Sequence, residues 1–232
     1  MFFKDINESN RQAWLKQTLN TVPKGARLLD AGAGELKNRK YCDHLDYVSQ
    51  DFCQYQGVEG GGLDEGLQSK NWDTTRVDLV SDITTIPAPD ASFDAILCSE
   101  VLEHVPEPTH ALDEFVRLLK PGGVMILTAP FASNVHMAPY HYCGGFSKYW
   151  YEYHLVKRGL RIETLVANGD WYALLRQEIT RLGGMERQRG NWSWPFAYAY
   201  TLLGLAYFKL RGKKRAEDLA CFGWQCVAVK VP

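Results

Sequence analysis

The chain of 232 residues has no concentrated basic block: 26 lysines and arginines stand against 27 acidic residues, for a net charge of -1. A surface that tracks phosphates needs a positive stripe, so nucleic acid is not expected as a partner. The six cysteines, at 42, 53, 98, 143, 221 and 226, include no C-x-x-C pair, which removes the usual zinc and redox spacings. Cys53 and Cys98 fall in or beside expected strands, and the set is read as reduced thiols of a cytoplasmic protein. The start, Met1-Phe2-Phe3-Lys4-Asp5-Ile6-Asn7-Glu8, turns polar at once, so no signal peptide is expected. There is no internal repeat and no low-complexity segment. The charge-free stretch Asn191–Phe208 is strongly apolar only over 195–208, short of the roughly 20 residues that span a bilayer.

What remains is an ordinary globular composition, 46% hydrophobic and 23% charged, long enough for one domain with a sizeable core. Helical spacing over 8–21 puts Trp14, Leu15 and Leu19 on one face, and Pro23 and Gly25 end it. Strands are expected at 27–31, 46–51, 76–80, 93–98 and 124–128, with an amphipathic helix over 107–119 stopped by Lys120-Pro121-Gly122-Gly123. A helix at 147–159, a strand at 161–167, helical stretches near 170–182 and 195–210, and a final strand at 222–230 follow. Strands alternating with helices or long crossovers predict a parallel α/β sheet with helices on both faces. The chain is read as one domain, 1–232: an N-terminal helix (1–25), a core (26–131) and a second part (132–232) with a helical insertion, 168–221, before the last strand.

Ligands in such sheets bind outside the carboxyl ends of the strands. Leu28-Leu29-Asp30-Ala31-Gly32-Ala33-Gly34 reads as a strand, a tight turn and a helix start, the glycines letting the backbone bend and a ligand approach. The carboxylate before Gly32 suits a ligand with a cationic end. Asp51 ends the second strand, where a carboxylate accepts ribose hydroxyls. Asp82 follows the third, placed to accept from an adenine amino group, with Ile83 and Ile86 on either side of the ring. One such aspartate alone is a turn residue; three at successive strand tips are a pattern.

Leu28–Gly34, the Asp51 tip, Asp82-Ile83, Ser92-Phe93-Asp94-Ala95-Ile96, Glu100-Val101-Leu102-Glu103-His104-Val105 and Leu118-Leu119-Lys120-Pro121-Gly122-Gly123 together resemble class I S-adenosylmethionine-dependent methyltransferases of the type 11 group. The resemblance runs in order through residues 11–131. It implies a Rossmann-like methyltransferase fold with a mostly parallel seven-stranded sheet. It also implies that Asp30, Gly32 and Gly34 border the cofactor, Asp51 holds its ribose, Asp82 and Ile83 its adenine, and that Ser99 lies beside its sulfonium. The family often has a third glycine two residues after Gly34, and here Leu36 stands there. A nicotinamide pattern fits worse, since its third glycine would fall at Lys37.

The expected activity is methyl transfer to a small-molecule acceptor, at oxygen rather than nitrogen or carbon, the acceptor being a glycan, lipid-linked or quinone-type precursor. The alternative is a non-catalytic member of the fold that binds cofactor or a partner. Glu100, Glu103 and His104 would share one face of a helix begun near Glu100. They resemble the divalent-cation ligands of ubiquinone-pathway O-methyltransferases, or are acidic first-turn residues beside a packed histidine. An alcohol or phenol acceptor benefits from a general base, for which His104, His136 and His141 are the candidates. The aromatics between Tyr140 and Tyr153 either line an acceptor pocket or pack a helix. The stretch 191–215, with aromatics at its start and Lys209, Arg211, Lys213, Lys214 and Arg215 at its end, fits a helix packed on the domain or a homodimer seam, a peripheral membrane contact, or a span.

Overall fold

A computed structural model describes residues 6–57, 67, 69, 72–211 and 216–231. The expected polar start at 1–5 and the basic residues 213–215 lie outside the described residues. The strands are β1 (Arg27–Ala31), β2 (Asp46–Asp51), β3 (Leu79–Val80), β4 (Phe93–Ser99), β5 (Leu119–Pro130), β6 (Leu160–Asn168) and β7 (Gly223–Lys230). They form one seven-stranded sheet in the order β3-β2-β1-β4-β5-β7-β6. The pairs from β3 to β5 are parallel, and β7 runs antiparallel to both β5 and β6. This is the Rossmann-like arrangement expected from the motifs.

Period-two alternation splits the central strands between two cores. Leu28, Ala95, Leu97 and Ile126 pack under α1 (Ile6–Leu19) with Leu15 and Leu19. Leu29, Ala31, Ile96, Cys98 and Leu127 face the opposite side. There they meet α2 (Pro108–Leu118), through Leu112 and Phe115, and α3 (Lys148–Val156), through Tyr151 and Leu155. Helices therefore cover both faces. Ser147 caps α3 by accepting from Trp150 N. Lys230 Nζ donates to the Val116 and Leu119 carbonyls at the end of α2, which complements the helix dipole.

Four expectations change. The helix start after Gly34 is absent: residues 33–41 make turns and a single 3-10 turn, Arg39–Tyr41. The cause is Leu36, at φ +60, a left-handed conformation that a right-handed helix cannot contain. β3 has only two residues, because Asp78 turns its carboxylate to the Ser49 backbone N–H and hydroxyl instead of extending the ladder. β5 begins at Leu119, which pairs with Phe93 before an irregularity, so Lys120–Gly123 interrupts a strand and does not precede one. No helix starts at Glu100, which sits at φ +57; a 3-10 turn, Leu102–His104, follows it.

The insertion holds two helices, α4 (Trp171–Gln188) and α5 (Trp194–Arg211). α4 is capped by Asp170, which accepts from Ala173 N. α5 packs on α4, with Thr201 bonding the Ile179 carbonyl. Among the described residues nothing covers its other face: Phe196, Leu202, Leu203 and Tyr207 are exposed, Leu210 is 87% exposed and Trp192, just before the helix, 82%. α5 therefore joins the domain through α4 and leaves its other face exposed. No helix among the described residues is long and apolar enough to cross a membrane. The six cysteines are unpaired.

Candidate functional site

The carboxyl ends of β1, β2 and β4 converge on a glycine turn. Gly32 is at φ +74, and a Cβ there would lie 2.4 Å from a Val101 methyl carbon. Gly34 is at φ +49, and a Cβ there would lie 2.9 Å from the Trp72 ring. Both positions therefore demand glycine on conformational and steric grounds. The turn is tied to β2: Gly32 N and Ala33 N donate to the Gln50 carbonyl, and Gly34 N donates to Asp51 Oδ2 at 2.9 Å. Asp51 Oδ1 accepts from Cys53 N at 2.8 Å. Each carboxylate oxygen keeps a second lone pair, and Asp51 lines the adjoining cavity.

That cavity, about 260 Å³, is largely apolar, with Phe52, Ile83, Val105 and Tyr140 in its walls beside Asp51 and Asp82. Phe52 and Tyr140 meet edge to face, ring centroids 4.9 Å apart. Asp82 Oδ1 accepts from Thr84 N and Oγ1, both at 2.7 Å. Ile86 does not join Ile83 there; it is buried in the core, with its N–H donating to Glu114. A second, more polar cavity of about 480 Å³ includes Gly34, Ser99, Glu103 and His136. Gly32, Trp72, Glu100, His104 and Met137 border both.

Asp30 lies in neither lining. It is 1% exposed, under the turn, and accepts the Tyr47 hydroxyl at 2.6 Å. Burial pushes its carboxyl up to about 6, against the lowering effect of the Tyr47 bond. The expectation that Asp30 meets a ligand's cationic end is corrected, because this carboxylate is spent on the scaffold. Ser99 does reach the polar cavity, in a relay. Thr128 Oγ1 donates to Glu100 Oε1 at 2.9 Å, so Ser99 Oγ, 2.8 Å from Thr128 Oγ1, donates in turn. Arg11 closes the relay on Glu100 Oε2 at 3.0 Å.

Glu100, Glu103 and His104 thus do not form one ligand set. Both Glu100 oxygens are engaged by Arg11 and Thr128, while Glu103 Oε1 faces the His104 and His136 Nε2 atoms at 3.7 and 4.0 Å. Glu103 is 1% exposed, and burial, then the Glu100 charge, raises its carboxyl well above the usual range. His104, His136 and His141 come together, with ring centroids 4.6–5.9 Å apart. Burial depresses His104 to about 4 and lowers His141. Both are neutral imidazoles at neutral pH.

Residues 29–127 match the family model of the methyltransferase domain, a stretch that runs from within β1 to within β5. This stretch of the chain is similar to methyltransferase domains. Over 127 residues it is 35% identical to a demethylmenaquinone methyltransferase of Clavibacter sepedonicus, covering 53% of this chain and 49% of that protein. Over 63 residues it is 44% identical to a ubiquinone biosynthesis O-methyltransferase of Xanthomonas oryzae pv. oryzae, covering 27% and 26%. The matched stretch thus spans about half the length of the first relative and about a quarter of the second. Among solved structures, the [4+2]-cyclase SpnF superposes with a TM-score of 0.58 at 19% identity, covering 96% of this chain and 81% of that one. That likeness concerns the fold alone, and a cyclase on this fold shows that the fold does not fix the reaction.

Several cavity residues escape sequence reasoning. Arg11 comes from α1, and Gln177 and Arg181 from α4, far from any motif. Trp72 follows a segment with no periodic pattern. Glu103 as the common neighbour of His104 and His136 was equally hidden, since the two histidines lie in separate segments of the chain.

Proposed function

We propose that the chain transfers a methyl group from S-adenosylmethionine to a hydroxyl oxygen of a small-molecule acceptor of the quinone-precursor type. The observation that carries this is the pair of joined cavities: an apolar one at the β2 and β3 tips, and a polar one holding histidines, sharing Gly32, Glu100 and His104. The residues suit the cofactor. Asp51 has free lone pairs for ribose hydroxyls, and Ile83, Phe52 and Tyr140 offer apolar surface to a base beside the Asp82 carboxylate. Arg11, Asn38 and the Gly34 turn border the polar side, where an amino-acid end would lie.

Bound S-adenosylmethionine would supply a methyl group on an already activated sulfonium. The chain then contributes alignment and exclusion of water. An imidazole of the His104–His136–His141 group would take the proton from the acceptor hydroxyl. The quinone-type acceptor is supported by the names of the two relatives; glycan and lipid-linked acceptors are the rivals. A second observation favours a lipid-borne acceptor. The exposed apolar face of α5, with Trp192 before it, joins a sequence that carries five basic and no acidic residues over 191–215. A surface of this kind suits an anionic bilayer, and we assign the bilayer as its occupant.

Calorimetry with S-adenosylmethionine and S-adenosylhomocysteine tests the cofactor. The wild type binds both, and Asp51→Ala weakens binding at least about 10-fold, as loss of hydrogen bonds to a charged group does. No binding by the folded wild type overturns the proposal and leaves the non-catalytic, partner-binding role.

A further inference from the structure

The three histidines are built as a ligand set. His104 Nδ1 donates to the Tyr140 carbonyl at 2.5 Å, and His136 Nδ1 donates to the Asn134 carbonyl at 2.9 Å. A carbonyl only accepts, so each Nδ1 carries its proton and each Nε2 presents a lone pair. Outer hydrogen bonds of this type orient metal-ligating imidazoles. The two Nε2 atoms converge on Glu103 Oε1. One ligand atom from each of His104, His136 and His141 lies within 4.8 Å of the others. Two polar atoms here are buried and without hydrogen-bond partners among the described residues: Glu103 Oε2 and His141 Nδ1. A buried carboxylate oxygen left unpaired costs free energy that a cation would offset.

The segment that brings the histidines together is tied to Glu103 itself. Tyr142 N and Cys143 N both donate to the Glu103 carbonyl, at 2.9 and 3.2 Å. The residue that offers the carboxylate therefore also fixes the loop that carries His141, and the cluster is not a chance meeting of surface side chains.

We propose that His104, His136, His141 and Glu103 bind a divalent first-row transition cation of the zinc class at the wall of the polar cavity. Three imidazoles and one carboxylate suit zinc or its neighbours, whereas magnesium and calcium take oxygen ligands. Ligand atoms around zinc sit about 2.0–2.2 Å from the metal, so the set closes by an ångström-scale contraction. The donor set differs from the Glu100–Glu103–His104 set that the resemblance implies, since Arg11 and Thr128 occupy Glu100. The cation takes the imidazole lone pairs that the methyl-transfer proposal gives to the base, so when it is bound its charge, in place of an imidazole, would favour loss of the acceptor's proton; its binding is independent of that proposal.

The test uses the full chain, stripped with a chelator and titrated by calorimetry with Zn²⁺ and with Mg²⁺, and with Co²⁺ followed by its visible ligand-field absorption. One equivalent of Zn²⁺ binds, Mg²⁺ does not compete, and Co²⁺ gives the intense bands of a low-coordinate nitrogen-rich site. His136→Ala and His141→Ala each weaken Zn²⁺ at least about 10-fold, the lower bound set by outer-shell losses alone. Both lie on a part-exposed segment, and their folding is checked by thermal melts. Glu100→Gln does not weaken Zn²⁺ binding. Failure of the wild type to bind Zn²⁺, unchanged affinity in both histidine variants, or a loss confined to Glu100→Gln overturns the proposal. S-adenosylmethionine affinity is measured on the same samples: its absence beside intact zinc binding removes the methyltransferase proposal and leaves this one standing.

Discussion

Replacing Asp30 by asparagine separates two roles that a carboxylate at this strand tip could have. In the native state its carboxyl is raised from 3.8 to about 6, chiefly by burial. A native group that holds its proton more tightly than the unfolded chain disfavours folding as pH rises between those two values, because the unfolded state ionises first. The difference of roughly two pH units corresponds to about 3 kcal/mol, developed between about pH 4 and pH 6 and constant above. The side chain is 1% exposed, so solvent screening does not discount it. The asparagine of the variant keeps an oxygen for the Tyr47 hydroxyl and has no charge to bury. Urea unfolding of both proteins at a series of pH values is the assay. The stability of Asp30→Asn relative to wild type should rise by most of about 3 kcal/mol from about pH 4 to pH 7, whatever constant offset the substitution adds. Its affinity for S-adenosylmethionine should stay within about 2-fold, since Asp30 borders neither cavity and surroundings without contact change binding by little. Parallel stability curves would refute the burial argument. Intact curves with a large loss of affinity would restore Asp30 to the binding site.

Two other perturbations follow from the same geometry. Leu36→Gly relieves a left-handed conformation worth roughly 1–2 kcal/mol but removes a side chain that is 7% exposed, whose deletion costs roughly 2–5 kcal/mol; a net loss of stability in chemical denaturation is expected, and a gain would refute the weighting. Flotation with anionic and with zwitterionic phospholipid vesicles tests α5: the protein floats with anionic vesicles, less so in high salt, and Phe196→Ser with Leu203→Ser abolishes it. Absence of flotation together with concentration-dependent dimerisation in sedimentation would assign the face to a second copy instead.

The fold was legible because its signals are local and periodic. The alternating apolar residues of β1, β4 and β5 bury the two faces their pattern demands, and the 3.6-residue spacing of Leu112 and Phe115 places α2. The strand-tip carboxylates Asp51 and Asp82 were legible because a parallel sheet puts its ends in one crevice. Asp30 was misjudged for the same reason: proximity to the crevice is not exposure to it, and Tyr47 from the next strand decides which way the carboxylate is used. Leu36 shows the limit of motif comparison. The position keeps the left-handed backbone at which glycine is favoured, and a leucine holds it by packing its side chain inside.

The histidines carry the argument furthest beyond the sequence. Spacing along the chain offered His104, His136 and His141 as three competing bases and joined His104 instead to Glu100 and Glu103. In space the partition runs otherwise, because Glu100 adopts φ +57 and turns to Arg11 and Thr128, while the backbone of Glu103 holds the segment carrying the other two histidines. One strained residue thus sends two adjacent carboxylates to opposite tasks. Glu100 becomes part of a relay that fixes Ser99 and α1 against the glycine turn. Glu103 is left facing imidazoles that burial keeps neutral in the case of His104. Removing one proton from an acceptor hydroxyl takes a single base. Three imidazoles gathered within 4.8 Å, two facing one carboxylate, exceed what removing one proton requires, and that excess is what a cation site would explain.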